Sequence, residues 1–300
     1  MEPLKINIIG AGAIGHLWAS FFKQKNQDVR LYVRTPRPST QLSVVSPLGD
    51  FETSLDYDQL DDWRDCDLIL ICVKAHCLSE LGQKLRSKVM NSCPIVLMMN
   101  GLGLVEIMQG FKYQNPILHA SIVHGAFISN DQLVHTGNGK TILGNLHSDY
   151  AGEEFEQTIE LLDYVLPTAE WSDDHKTNML LKVVINAIIN PVTALLDIKN
   201  GLVVEQHKLI PLAARLLNEL SPLLRIILPQ FSQDEITQRI IQVAENTAGN
   251  SSSMRQDLHK KKTTEIDFIN GYLIELATKE SIALKEHSEI VKQIKALDSN

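Results

Sequence analysis

Lys5-Ile6-Asn7-Ile8-Ile9-Gly10-Ala11-Gly12-Ala13-Ile14-Gly15 is the stretch whose reading decides the fold of this chain. A short apolar run of strand character ends directly in Gly-x-Gly-x-x-Gly, and a helical stretch from His16 to Lys23 follows. In a strand–turn–helix unit the first glycine permits the tight turn. The second lets the backbone approach a pyrophosphate, and the third lets the helix pack close to the strand. The free N–H groups of the helix start then face the phosphate charge. Gly10, Ala11, Gly12, Ala13, Ile14 and Gly15 are therefore read as the binding loop for a dinucleotide.

Further strand-like runs follow at Val29–Val33, Leu68–Val73, Pro94–Met99 and Pro116–Ala120, separated by crossovers. That alternation indicates a doubly wound parallel sheet. Gln132–His135 and Lys140–Gly144 flank Thr136-Gly137-Asn138-Gly139 and read as a hairpin closing the sheet edge. The texture changes near Pro167. From Trp171 onward apolar residues recur at i, i+3, i+4 over 173–196, 203–228, 233–247 and 255–280. The expected fold is α/β, with an N-terminal Rossmann-type dinucleotide-binding domain at 1–167 and a C-terminal all-helical domain at 168–300.

Of the 300 residues, 44% are hydrophobic and 21% charged, which excludes a disordered, collagen-like or disulfide-scaffold chain. Acids outnumber Lys and Arg by 36 to 28, for a formal charge of -8, the wrong bias for a nucleic-acid binder. Lys260-Lys261-Lys262 is the densest basic run and reads as a solvated helix face. The N-terminus carries an acid and a proline before its apolar run, without a signal-peptide cleavage pattern. The longest apolar stretch, Leu180 to Leu196, is interrupted by Lys182, Asn186, Asn190 and Pro191. Cys66, Cys72, Cys77 and Cys93 form no CxxC pair and read as reduced thiols. The expectation is a cytoplasmic protein with no metal, no nucleic-acid partner and no membrane contact.

The end of the second strand distinguishes NAD from NADP. An NAD site places an acid there for the ribose 2′-hydroxyl. This chain has Arg34, and a guanidinium grips a 2′-phosphate with paired hydrogen bonds, so the cofactor is read as NADPH/NADP+. Lys74 and Asn100 end two more strands on the ligand-binding side of such a sheet.

In the helical part, Lys182, Asn186 and Asn190 repeat at i, i+4, i+8 on an otherwise apolar helix. Burying three such groups without partners is costly, so the face lines a polar site or carries structural pairs. A lysine desolvated there has a lowered pKa and suits a general acid. Asn250-Ser251-Ser252-Ser253-Met254 reads as a helix start, and Glu265 sits one turn before Ile269 on an apolar face.

Taken together, the glycine loop, Arg34, Lys74, Asn100-Gly101, Lys182-x3-Asn186-x3-Asn190-Pro191, Asn250-x-x-Ser253-Met254 and Thr264-Glu265-Ile266-Asp267-x-Ile269-Asn270-Gly271 resemble the 2-dehydropantoate 2-reductase (ketopantoate reductase) family. The resemblance spans nearly the whole chain. It implies NADPH-dependent reduction of 2-dehydropantoate to (R)-pantoate, in pantothenate and coenzyme A biosynthesis. It implies Lys182 as the catalytic proton donor, with Glu265 holding the substrate hydroxyl and helping to fix the lysine. Asn186, Asn190 and Ser253 are implied as substrate-binding, with Asn200 and Asn250 as further substrate-side candidates. Arg34 and Lys74 are implied at the cofactor's 2′-phosphate, and Asn100 near both cofactor and reacting carbon. Ala75-His76-Cys77 departs from the family's pattern beside the adenine, and Arg37 is a further candidate for the 2′-phosphate. The partner implied is a small 2-oxo acid, with the protein a monomer or homodimer. A reductase of another 2-oxo acid, or an NADPH sensor without chemistry, stands as an alternative; an intact Lys182 and Glu265 speaks against the sensor.

Overall fold

The computed structural model describes residues 3–89, 93–111, 114–146 and 151–298. Their contacts divide the chain into two units, 1–99 with 104–176, and 100–103 with 177–300.

The first unit begins with β1 (Lys5–Ile9), α1 (Ala13–Gln24), β2 (Asp28–Tyr32), β3 (Thr40–Val45), β4 (Phe51–Leu55) and β5 (Tyr57–Asp58). It continues with β6 (Leu68–Ile71), α2 (Leu78–Leu85), β7 (Ile95–Leu97), α3 (Leu104–Gln109) and β8 (Ile117–Ile122). It ends with β9 (Gly125–Ser129), β10 (Gln132–Gly137), β11 (Thr141–Gly144), α4 (Glu156–Val165) and β12 (Ala169–Trp171). The main sheet runs β12-β11-β8-β7-β6-β1-β2-β5. All its pairs are parallel except β11 with β8. The order β5-β2-β1-β6-β7-β8 reverses direction at β1, which places a ligand crevice at the carboxyl end of that strand. Every residue of β6 and β7 is buried, as a central parallel strand covered on both faces requires.

A second sheet, β4-β3-β10-β9, corrects the expected hairpin at 132–144. β10 pairs with β9 and β3, whereas β11 joins the main sheet beside β8. The hairpin that forms is β9–β10. Its two-residue turn, Asn130-Asp131, has φ of +49° and +60°, the left-handed pair of a type I′ turn. α1 fills the space between the sheets: Trp18, Phe21 and Phe22 are almost fully buried and share one core with Leu31, Leu42, Val44, Leu55 and Leu133. The first unit also runs past Pro167, because β12 adds to β11 in register.

The second unit holds most of α5 (His175–Leu195), then a small hairpin of β13 (Val204–Glu205) and β14 (Lys208–Leu209), and α6 (Pro211–Ile227). It continues with α7 (Gln233–Asn246), α8 (Ser253–His259), α9 (Tyr272–Lys279) and α10 (Lys285–Asp298). The helix expected over 203–228 therefore starts only at Pro211: Gln206 and His207 take φ of +48° and +59° and close the hairpin. The helix expected over 255–280 breaks at Lys261, whose φ is +51°, and resumes as a π-helical turn, Asp267–Gly271, leading into α9. α5 is long and apolar enough to cross a membrane, but 78% of its apolar window is buried inside the protein, which makes it a core helix.

Candidate active site

The glycine loop has the geometry its sequence demands. Gly10 sits at φ +104°, and a Cβ there would lie 2.8 Å from the Cys72 backbone. A Cβ on Gly15 would lie 1.9 Å from the Gly10 carbonyl oxygen, so α1 packs against the loop as only glycine allows. Gly12, by contrast, has nothing within 4 Å of its Cβ position. It precedes α1 in extended conformation, and no side chain caps the helix start. Open space beside uncapped N–H groups is what an incoming pyrophosphate needs.

From this loop a groove of about 610 Å³ runs over the carboxyl ends of β1 and β2, lined by Gly10, Ala11, Arg34, Gln59, Cys77 and Lys84 among others. Its mixture of apolar wall and convergent polar groups fits the adenosine half of a dinucleotide. Arg34 is exposed on the rim, and its charge favours the Cys77 thiolate, although burial pushes that thiol up overall. Arg37 is engaged elsewhere, its guanidinium 3.8 Å from the centre of the Tyr57 ring. Lys74 is half-buried where β6 gives way to the 75–77 turn, and its carbonyl accepts the Cys77 N–H. It does not line the groove. The lysines that do are Lys84 and Lys88, with Glu80 accepting a hydrogen bond from Lys84 at 2.6 Å. Sequence reasoning missed all three; Glu80 and Lys84 share a face of α2 at i, i+4, while Lys88 lies in the turn after that helix ends.

Asn100 follows β7, but its turn belongs by contacts to the second unit. Gly101 sits at φ +98° where a Cβ would lie 2.7 Å from the Phe268 Cβ, and the Leu102 N–H donates to the Phe268 carbonyl.

In the second unit, Lys182 and Asn186 are half-buried on α5, and Asn190 is buried. Burial brings the Lys182 ammonium down to about 8, while the Glu265 charge acts to raise it. Glu265 is itself buried, at 5% exposure, so the acid points inward. A cation and an anion withdrawn from water in one place stabilise each other and need a task or a structural reason. Ser253 is exposed at the start of α8; the buried serine is Ser252, whose hydroxyl accepts from the Arg255 N–H and from Thr193 Oγ1. Asn250 is exposed. Its carbonyl accepts the Asn200 N–H, and the Asn200 amide donates to Thr247, which fastens the 200–203 turn to the end of α7. Among the described residues no group of three or more His, Cys, Asp and Glu could hold a metal. The four cysteines are free.

The sequence profile of ketopantoate reductase PanE/ApbA matches residues 6–148, and that of the ketopantoate reductase PanE/ApbA C terminal matches residues 174–298. The chain belongs to the ketopantoate reductase family. It is 31% identical to the 2-dehydropantoate 2-reductase of Salmonella typhi over 297 residues, covering 99% of this chain and 96% of that protein. Its fold is that of a PanE/ApbA family ketopantoate reductase from Ralstonia eutropha, with a TM-score of 0.85 at 18% identity and 99% of each chain covered. D-Mandelate dehydrogenase superimposes with a TM-score of 0.84 at 22% identity, again over 99% of both chains.

Proposed function

We propose that this protein reduces 2-dehydropantoate to (R)-pantoate with NADPH, with Lys182 as the general acid. The observation that carries the reading is the half-buried Lys182, whose pKa burial lowers and the charge of the buried Glu265 raises, within a ketopantoate reductase family chain. The names of its curated relatives support the substrate and the place in pantothenate and coenzyme A biosynthesis.

The Gly10–Gly15 loop and the start of α1 hold the pyrophosphate, and Arg34, with Lys74 as second candidate, takes the 2′-phosphate. Gly12 leaves the room the loop needs, and the carboxyl end of β2 carries Val33 and Arg34 with no acid to repel that phosphate, Asp28 standing at the strand's opposite end. When bound, the reduced nicotinamide supplies two electrons and a hydrogen to the substrate's carbonyl carbon. Negative charge then grows on the carbonyl oxygen. An ammonium within hydrogen-bond reach stabilises that charge and delivers the proton. Lys182 suits this because desolvation weakens its hold on the proton, while Glu265 keeps it charged near neutrality. Glu265 also offers an acceptor to the substrate hydroxyl. Asn100, Asn186, Asn190, Asn200, Asn250 and Ser253 are the proposed substrate contacts, Asn100 also lying near the cofactor.

Product identity tests the reading. Incubation with NADPH and 2-dehydropantoate, followed by chiral separation, is expected to yield (R)-pantoate alone. A racemic product, or turnover only with a different 2-oxo acid, would reject the assignment.

A further inference from the structure

The segment that carries Glu265 is clamped. At its start, the Thr264 N–H and hydroxyl both donate to Asp298 Oδ2, at 3.3 and 3.0 Å. In its middle, Lys295 pairs with Asp267 at 2.7 Å. At its end, the amide of Asn270 gives one hydrogen to His287 Nδ1 at 3.0 Å. Asp298, Lys295 and His287 all belong to α10, so that helix backs the segment along its length.

Asn270 makes a second bond, to the Ala187 carbonyl on α5 at 2.9 Å. Ala187 lies five residues after Lys182, and Asn270 five residues after Glu265. The two elements are therefore joined the same distance along the chain from Lys182 as from Glu265. Two residues after Glu265 the chain enters the π-helical turn Asp267–Gly271, which contains Asn270, a rare form that changes which side chains share a face.

The hydrogen-bond directions are fixed. Both amide hydrogens of Asn270 are used, so His287 Nδ1 accepts; its Nε2–H then donates to the Leu216 carbonyl on α6 at 3.0 Å. Asn270 Oδ1 stays buried without a hydrogen bond, so the donors alone set the amide's orientation. Asn270 and His287 are both fully buried. His287 must stay neutral for this chain of bonds, and burial does push its pKa down, against the opposing charges of Glu219 and Glu286.

We propose that Asn270, backed by His287, is a positioning residue for the reaction: it locks the π turn to α5 and so sets the distance between Glu265 and Lys182. This rests on the reading of Lys182 as proton donor. Neither residue touches substrate or cofactor in this scheme.

The test compares Asn270→Leu, His287→Leu and His287→Gln with the wild type in pH profiles of kcat, alongside NADPH affinity. Glu265 is the charged group acting on the Lys182 ammonium. Loosening the link lets desolvation dominate, so Lys182 loses its proton at lower pH. Asn270→Leu and His287→Leu are expected to move the alkaline limb down by about half a pH unit or more, with kcat falling roughly tenfold. NADPH affinity is expected to stay within about twofold. His287→Gln keeps an acceptor and a donor and is expected to restore most of the wild-type profile. If Asn270→Leu does not fold, the His287 pair decides. Unmoved alkaline limbs, even with lowered kcat or stability, would overturn the proposal. Lys182→Met separates the two levels: activity retained in that variant would sink the proton-donor reading itself.

Discussion

Glu265 raises the Lys182 pKa that burial lowers, leaving the ammonium at about 8 instead of its ordinary 10.5. In the proposed mechanism this lets Lys182 hold a proton at neutral pH and release it to a developing oxyanion. With Lys182 as the proposed general acid, the acid form is the active one. Activity is expected to be flat below the lysine's pKa and to fall as pH rises through about 8. Glu265→Gln removes the group that favours the charged form, so the falling limb moves to lower pH. A pH–rate profile checks both; a limb that moves upward in Glu265→Gln would contradict the pairing.

Lys182→Ala is expected to cost several kcal/mol of transition-state stabilisation, on the order of a thousandfold in kcat, with NADPH binding nearly intact. Cofactor titration beside steady-state rates separates the two. A large loss of NADPH affinity would place the lysine in the cofactor site instead.

The glycine loop yields a contrast between neighbours. Gly15→Ala would drive a methyl into the Gly10 carbonyl, at 1.9 Å, and is expected to destabilise the first unit by about 3 kcal/mol or more. Gly12→Ala meets open space and is expected to cost about 1 kcal/mol or less, as a helix cap exchange. It is nonetheless expected to weaken dinucleotide binding by an order of magnitude or so, since it fills the room left for a pyrophosphate. Thermal melts with and without NADPH distinguish structural from binding loss. Equal melting temperatures for the two variants would refute the assignment of roles.

Arg34→Asp is expected to weaken NADPH far more than NADH, because only the former presents a 2′-phosphate to the rim of the groove. Equal loss of both cofactors, measured by fluorescence titration, would show that Arg34 does not read that group.

Much of this was legible in the sequence because local chemistry decided it. Gly10, Gly12 and Gly15 meet their demands within a single turn. Lys182, Asn186 and Asn190 lie on one helix, and their polar spacing needs no partner to be noticed. The second sheet was not legible. β3 and β4 lie far along the chain from β10, and the Thr136–Gly139 glycines drew attention from the true turn at Asn130-Asp131. Neither residue is a glycine, yet both adopt left-handed φ. The split of the last helices was hidden for a similar reason: Lys261 terminates α8 with a left-handed φ in a run of three lysines that reads as ordinary helix. Ser252 rather than Ser253 turns inward because it is the cap residue, one position before the helix begins.

A buried histidine pair is expected to give the first unit an acid sensitivity. Ser46 Oγ meets His135 Nδ1 at 2.9 Å, and His135 Nε2 meets His124 Nδ1 at 3.2 Å. Burial, then the neighbouring His135, pushes His124 down to about 4. Its folded pKa lies below the unfolded value of about 6.5, so the unfolded chain takes up this proton first. Stability is expected to decline as pH falls from about 6.5 toward 4, and to decline less in His124→Asn. Denaturant titrations at pH 7 and 5 measure this. A variant as acid-sensitive as the wild type would move the effect to other groups.

The nicotinamide absorbance of NADPH, followed with purified protein and 2-dehydropantoate beside NADH and a panel of other 2-oxo acids, tests the central claim most directly. Fast oxidation of NADPH with 2-dehydropantoate, and far slower oxidation in every other combination, is the expected result. Silence across the panel while NADPH still binds would contradict it and leave a nucleotide-binding protein without the chemistry.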